Sequence, residues 1–197
     1  MTKGEDTRTA ILDTALAMSR AVGLEGVTIG ALASRRRLSK SGVFAHFGSK
    51  EDLQLAVLQR ARESFTEAVL RPALREPRGA ARLCALYDYW VRWSALEGGC
   101  PMISAVYEFD DRPGVVRELV ARTQREVREI LIRAVRIAVE CGDLAPDTDA
   151  PSLAFQIYGL VMATHVDSRL LDDPQAAARG RRALDALLRA NAPQASL

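Results

Sequence analysis

The chain has 197 residues, and few of them are the types that build enzymes or covalent scaffolds. There are three cysteines, Cys84, Cys100 and Cys141, widely spaced and never in a CxxC pair. A secreted disulfide framework would show an even, clustered set. The two histidines, His46 and His165, lie far apart and form no HExxH or comparable cluster, so no metal site is expected. GxSxG, P-loop and GxGxxG motifs are absent, as is any Cys-His pair close in sequence. The chain therefore reads as a non-enzyme with no cofactor. No apolar run reaches the roughly 18 residues that span a bilayer. The opening Met1-Thr2-Lys3-Gly4-Glu5-Asp6 is polar and acid-containing, unlike a secretion signal, so a cytoplasmic location without a membrane partner is expected. No stretch shows sustained strand alternation with hairpin signals.

What is present is a soluble-type composition, 48% hydrophobic and 26% charged, with a net charge of only +2. That near-neutral total hides an asymmetry. The first 50 residues carry eight basic and four acidic side chains, and residues 27–50 carry five basic and no acidic ones. Such a stretch is either a solvated basic surface or the footprint of a polyanion.

The hydrophobic period is helical almost throughout. Thr7–Val22 places Ile11, Leu12, Ala15, Leu16 and Val22 on one face, and Gly23 stops it. Thr28 is positioned to cap a short helix, Ile29–Arg35, and Ser39 another, reaching about Ala45. After Gly48, Ser49-Lys50-Glu51-Asp52 reads as a capping box for a helix reaching Leu70. Pro72 and Pro77 mark a joint. Gly79–Leu96 follows, then a short helix from Pro101, then Pro113–Cys141 with proline in its first turn. Asp149 or Ser152 opens a helix to Leu171, and Asp173-Pro174 opens the last. The expected fold is all-α, about nine helices, with a three-helix head (residues 1–48) on a larger helical bundle (residues 49–197).

The second and third helices meet at a tight turn near Arg36-Arg37-Leu38, the spacing of a helix-turn-helix. The third helix is short and polar, with Ser39, Lys40, Ser41 and Gly42 at its start. Small polar and basic side chains with little bulk suit base edges, and Gly42 permits close backbone approach.

In these residues the sequence resembles the tetracycline-repressor (TetR) family of bacterial transcription regulators. The resemblance rests on Arg8, Ile11, Leu12, Ala15, Gly23, Thr28, Ile29, Leu32, Ala33, Leu38–Phe44, His46-Phe47, Ser49-Lys50-Glu51 and Leu53, and covers roughly residues 8–55. It implies phosphate contacts from Thr28, His46 and Lys50 and groove reading by Lys40 and Ser41. The full candidate DNA-binding set is Thr28, Arg37, Ser39, Lys40, Ser41, Gly42, Phe44, His46 and Lys50. Two residues depart from the family pattern. Arg36-Arg37 stands where the family has Ala-Gly, so a left-handed Arg37 would carry strain of about 1 kcal/mol. Phe44 replaces the usual tyrosine and lacks its hydroxyl, so a packing role competes with contact.

Six of the 11 aromatics lie between Tyr87 and Phe109, both tryptophans among them. With the family resemblance, this points to a largely apolar effector pocket drawn from Trp90, Trp93, Met102, Tyr107, Phe155, Tyr158, Met162 and His165. Ordinary core packing is the competing reading for each. Cys100 precedes Pro101 at a helix start, where the helix dipole can lower a thiol pKa. The last two helices have broad apolar faces, which the resemblance assigns to a homodimer interface. The expected function is a ligand-responsive repressor released from a near-palindromic operator by a small apolar molecule; the alternative is a ligand-independent DNA-binding repressor acting constitutively or through a protein partner.

Overall fold

We describe residues 3–193 of a computed structural model. The helices are α1 (Lys3–Val22), α2 (Ile29–Arg36), α3 (Lys40–Phe47), α4 (Lys50–Phe65), α5 (Arg71–Arg75), α6 (Ala80–Ser94), α7 (Pro101–Phe109), α8 (Val115–Glu140), α9 (Ala150–Arg169) and α10 (Ala176–Ala190). A π-helical turn, Thr66–Leu70, joins α4 to α5. Counting residues 50–75 as one helical run gives nine helices, and no strand, among the described residues.

Beyond the earlier start of α1 at Lys3, three boundaries differ from the sequence reading for reasons the structure shows. Pro72 does not end its helix. Its ring would crowd the carbonyl four residues back, and it has no N–H to donate. The preceding turn widens instead, so that the Arg71 N–H bonds Thr66 O, five residues back, and the helix passes through the proline to Arg75. Pro113 lies before α8 rather than in its first turn. The chain turns at Gly114 (φ 137), a conformation closed to most side chains, and the first helical bond is Glu118 N–H to Gly114 O at 3.1 Å. The last helix starts at Ala176, because Asp173 caps a turn by accepting from the Gln175 N–H at 2.8 Å.

The chain forms two compact units. The first holds residues up to 64 together with 96–123. Its core joins Ile11, Leu12 and Ala15 of α1, Leu32 and Ala33 of α2, Val43 and Phe47 of α3, and Leu53, Val57 and Leu58 of α4. Ala105 and Phe109 of α7 and Val116, Leu119 and Val120 of α8 complete it. The three-helix head thus shares one core with α4, α7 and the start of α8. Glu108 of α7 seals the corner after α1, its carboxylate accepting from the Leu24 and Glu25 N–H groups at 3.0 and 2.7 Å.

The second unit holds residues 65–95 and those from 124 on. Here α6, α9 and α10 pack through a buried Tyr87 Oη to Thr164 Oγ1 hydrogen bond of 2.8 Å. Gly180 of α10 faces that pair: a Cβ there would lie 2.0 Å from the tyrosine oxygen. Arg181 pairs with Asp88 of α6 and Asp185 of its own helix.

Candidate nucleic-acid interface and ligand groove

The Thr28 hydroxyl accepts from the Ala31 N–H at 3.2 Å and opens α2. The helix ends at Arg37, held in the left-handed region at φ 54, ψ 41. The Arg37 N–H reaches Ser34 O at 3.2 Å and the Leu38 N–H reaches Ala33 O at 2.9 Å. These are the paired bonds of a Schellman stop, which glycine usually completes. The turn keeps this geometry and Arg37 carries the strain, about 1 kcal/mol.

Ser39 Oγ accepts from the Gly42 N–H at 3.0 Å and lies 3.1 Å from Ser41 Oγ. A Cβ on residue 42 would sit 3.1 Å from Ser39 Oγ, so glycine leaves the cap its room. Val43 and Phe47 are buried and fix the orientation of α3. The opposite face exposes Ser39, Lys40, Ser41, Phe44 and Ala45. Phe44 is 52% exposed, so it does not serve as core. With Ile29, Lys40, Ser41 and Ala45 it lines a shallow apolar hollow of about 350 Å³. A cation, two hydroxyls and an apolar ring therefore share one uncluttered helix face, the chemistry a major groove is read with.

Lys50, at the start of α4, is not free: its ammonium is hydrogen-bonded to Glu25 Oε1. Glu25 Oε2 lies 3.3 Å from Arg112 Nη1 and accepts from Gln54 Nε2 at 3.2 Å. The Lys50 hydrogen bond is the main reason the Glu25 carboxyl is held below its ordinary pKa, with Gln54 and Arg112 adding to it. His46 is half-buried, its ring 6.3 Å from that of Phe47.

In the second unit, a groove of about 550 Å³ is walled by Leu70, Leu74, Leu86, Ile130, Ala134 and Ile137 and edged by Arg82, Glu126, Glu129 and Arg133. The α8 residues recur at helical spacing as one stripe. Leu70, Leu86 and Ile130 also line a small inner space of about 10 Å³ that ends on Phe65 and Trp90. The Trp90 indole N–H is buried and has no hydrogen-bond partner.

Residues 11–57 match the profile described as bacterial regulatory proteins, tetR family. Residues 79–184 match the tetracyclin repressor-like C-terminal domain. The chain belongs to the tetracycline-repressor family.

Its family and fold are those of DNA-binding transcriptional regulators. A TetR transcriptional regulator from Chloroflexus aurantiacus is 26% identical with a TM-score of 0.85, covering 99% of this chain and 100% of its own. AibR, solved with isovaleryl coenzyme A and operator DNA, has a TM-score of 0.70 at 22% identity over 95% of this chain and 99% of its own. The ketosteroid transcriptional regulator KstR2 of Mycobacterium tuberculosis has a TM-score of 0.67 at 17% identity over 95% and 96%. The last two likenesses are of fold alone. No curated protein sequence matches the chain.

The residues expected to bind an effector are dispersed in this regulator. Trp90 reaches the inner space beside the groove. Trp93 is buried, its ring 5.3 Å from Phe65, and Phe65 packs edge-on against Trp90 at 5.2 Å. Tyr158 lies 5.9 Å from Trp90, its hydroxyl donating to Gln124 at 2.8 Å and Arg128 stacked 4.4 Å from its ring. These aromatics interlock instead of surrounding an opening. Phe155 is 69% exposed on α9, and Met162 is half-buried there. The His165 Nδ1 is buried without a partner, and desolvation, then Arg169, lowers its pKa. Met102 and Tyr107 belong to the first unit, Met102 buried and Tyr107 exposed.

Cys100 does not have the lowered thiol pKa that a helix start can give. It is fully buried, and desolvation pushes its thiol up to about 12 despite its place at the start of α7. Sequence reasoning missed Glu25, whose partners lie 25 and 29 positions away. It also missed the aliphatic groove, because the exposure of Leu74 and Ile130 is not readable from the helical period.

Proposed function

We propose that the chain is a homodimeric repressor that binds a near-palindromic duplex through α3 and is released by a small apolar effector, acting in the cytoplasm. The observation that carries the reading is the uncovered face of α3, where Lys40, Ser41 and Phe44 project opposite the buried Val43 and Phe47. Lys40 and the serine hydroxyls suit base-edge acceptors, and Phe44 suits a thymine methyl. Thr28, Arg37, His46 and Lys50 supply phosphate contacts, with Thr28 at a helix N-terminus, where N–H groups attract an anion.

One α3 spans few base pairs, so useful specificity needs two copies. The outer face of α9 supports pairing: Phe155, Gly159, Ala163, Val166 and Leu170 are all exposed and recur every three or four residues. A second copy is the natural cover for such a stripe. An effector that favours a head spacing different from the one DNA requires must weaken DNA binding by the same factor that DNA weakens the effector.

Lys40→Ala and Ser41→Ala test the reading by fluorescence anisotropy on duplex DNA. The account expects each to lose specific affinity by about 1–3 kcal/mol while nonspecific binding changes less. Unchanged specific affinity in both would refute α3 as the reader. A ligand-independent repressor is the second reading; the nearly filled surroundings of Trp90 favour it.

A further inference from the structure

The aliphatic groove of the second unit carries more information than its size. We propose that it binds an extended aliphatic chain bearing one anionic headgroup, of the fatty-carboxylate class, rather than a planar aromatic. This deepens the effector reading and rests on it for the consequence of binding, though not for binding itself.

The walls decide the body of the ligand. Leu70, Leu74, Leu86, Ile130, Ala134 and Ile137 line the groove, and no aromatic ring does. A planar ring would find no stacking partner there, whereas methylenes meet branched aliphatic walls on three helices. The groove is also elongated: its α8 wall runs from Glu126 to Ile137, about 16 Å by the rise of an α-helix. Its side chains stand ready without a partner of their own, Leu74 being 61% and Ile130 36% exposed.

The rim decides the head. Two cations and two acids edge the groove, but they are not equally compensated. Arg82 donates from Nε and Nη2 to the Glu76 carbonyl at 3.3 and 2.9 Å, which fixes the guanidinium without neutralising it. Arg133 extends from α8 as an exposed side chain. Of the acids, Glu129 faces Arg136 at 3.9 Å. Among the described residues, neither Arg82 nor Arg133 has a carboxylate within ion-pair distance, so both guanidiniums are open to an anion, and a planar guanidinium fork matches a carboxylate.

The experiment measures binding of dodecanoate, dodecanol, dodecylammonium and naphthoate to the full chain by calorimetry. The same ligands are added to the protein bound to duplex DNA. Dodecanoate is expected to bind saturably and at least tenfold more tightly than naphthoate or dodecylammonium. Ile130→Glu and Leu74→Glu each abolish that binding while keeping the wild-type circular dichroism; both positions are exposed, so one variant stands in if the other fails to fold. Arg133→Gln weakens dodecanoate about tenfold and leaves dodecanol unchanged. Absence of saturable dodecanoate binding overturns the proposal, as does binding indifferent to both groove variants. Naphthoate binding in the groove in place of dodecanoate overturns the ligand class but leaves the effector reading standing. Dodecanoate that binds in the groove without releasing DNA supports the site and refutes the effector reading instead.

Discussion

Lys50 is expected to bind a backbone phosphate, yet it is held by Glu25, so DNA must compete with a carboxylate for it. Substituting Glu25→Gln removes the competitor and keeps the side-chain length. The two side chains are 43% and 44% exposed, which places the pair among surface ion pairs worth about 0.2–1 kcal/mol. Binding that breaks the pair forfeits this amount, so the variant should bind about 1.4- to 5-fold more tightly per head. The salt dependence gives a second readout. In the wild type, Glu25 left unpaired takes up a cation and offsets one that Lys50 displaces from the DNA; the variant avoids this, so the slope of log affinity against log salt should steepen by up to about 0.9. The gain should fade at high salt, where the ion pair is already screened. Anisotropy titrations of labelled duplex across a salt series measure both quantities. An unchanged affinity and slope would show that Lys50 does not reach phosphate. A weaker affinity would show that Glu25 orients Lys50 instead of withholding it.

Three further outcomes follow. Arg37→Gly should stabilise the protein by about 1 kcal/mol, raising the thermal midpoint by about 2–4 °C, because φ 54 suits glycine; an unchanged or lower midpoint would remove the strain argument. With its thiol pushed up to about 12, Cys100 should resist alkylation at neutral pH while the exposed Cys141 reacts, as read by mass spectrometry, and rapid labelling of Cys100 would contradict its burial. The folded state lowers the His165 pKa from 6.5, so only the unfolded chain takes a proton as pH first falls below that value. Stability is then full above 6.5 and declines below it until folded His165 also protonates. His165→Leu should flatten that decline in urea titrations, and an unaltered decline would assign it to other groups.

Much of the head was legible because its signals are local. Thr28 and Ser39 announce caps within three residues, Gly48 and Ser49 mark the next break, and alternating burial around Val43 and Phe47 follows the helical period. Pro72 misled because a π turn absorbs it, and that adjustment depends on the whole helical run. The aromatic cluster misled for a different reason. Composition shows that large rings are close in sequence but not whether they fill space or surround it. Phe65, Trp90, Trp93 and Tyr158 pack edge-to-face against each other, while the opening forms from leucines and isoleucines of α5, α6, α8 and the π turn. Glu25 escaped notice because its pairing with Lys50 depends on how α1 and α4 fold together.

The central claim is that two copies of α3 read one symmetric site. Selection of bound sequences from random duplex DNA tests it most directly. The account predicts a near-palindromic winner with half-sites about one helical turn, or a multiple of it, apart. Failure to enrich any sequence, or enrichment of a single asymmetric half-site, would contradict it.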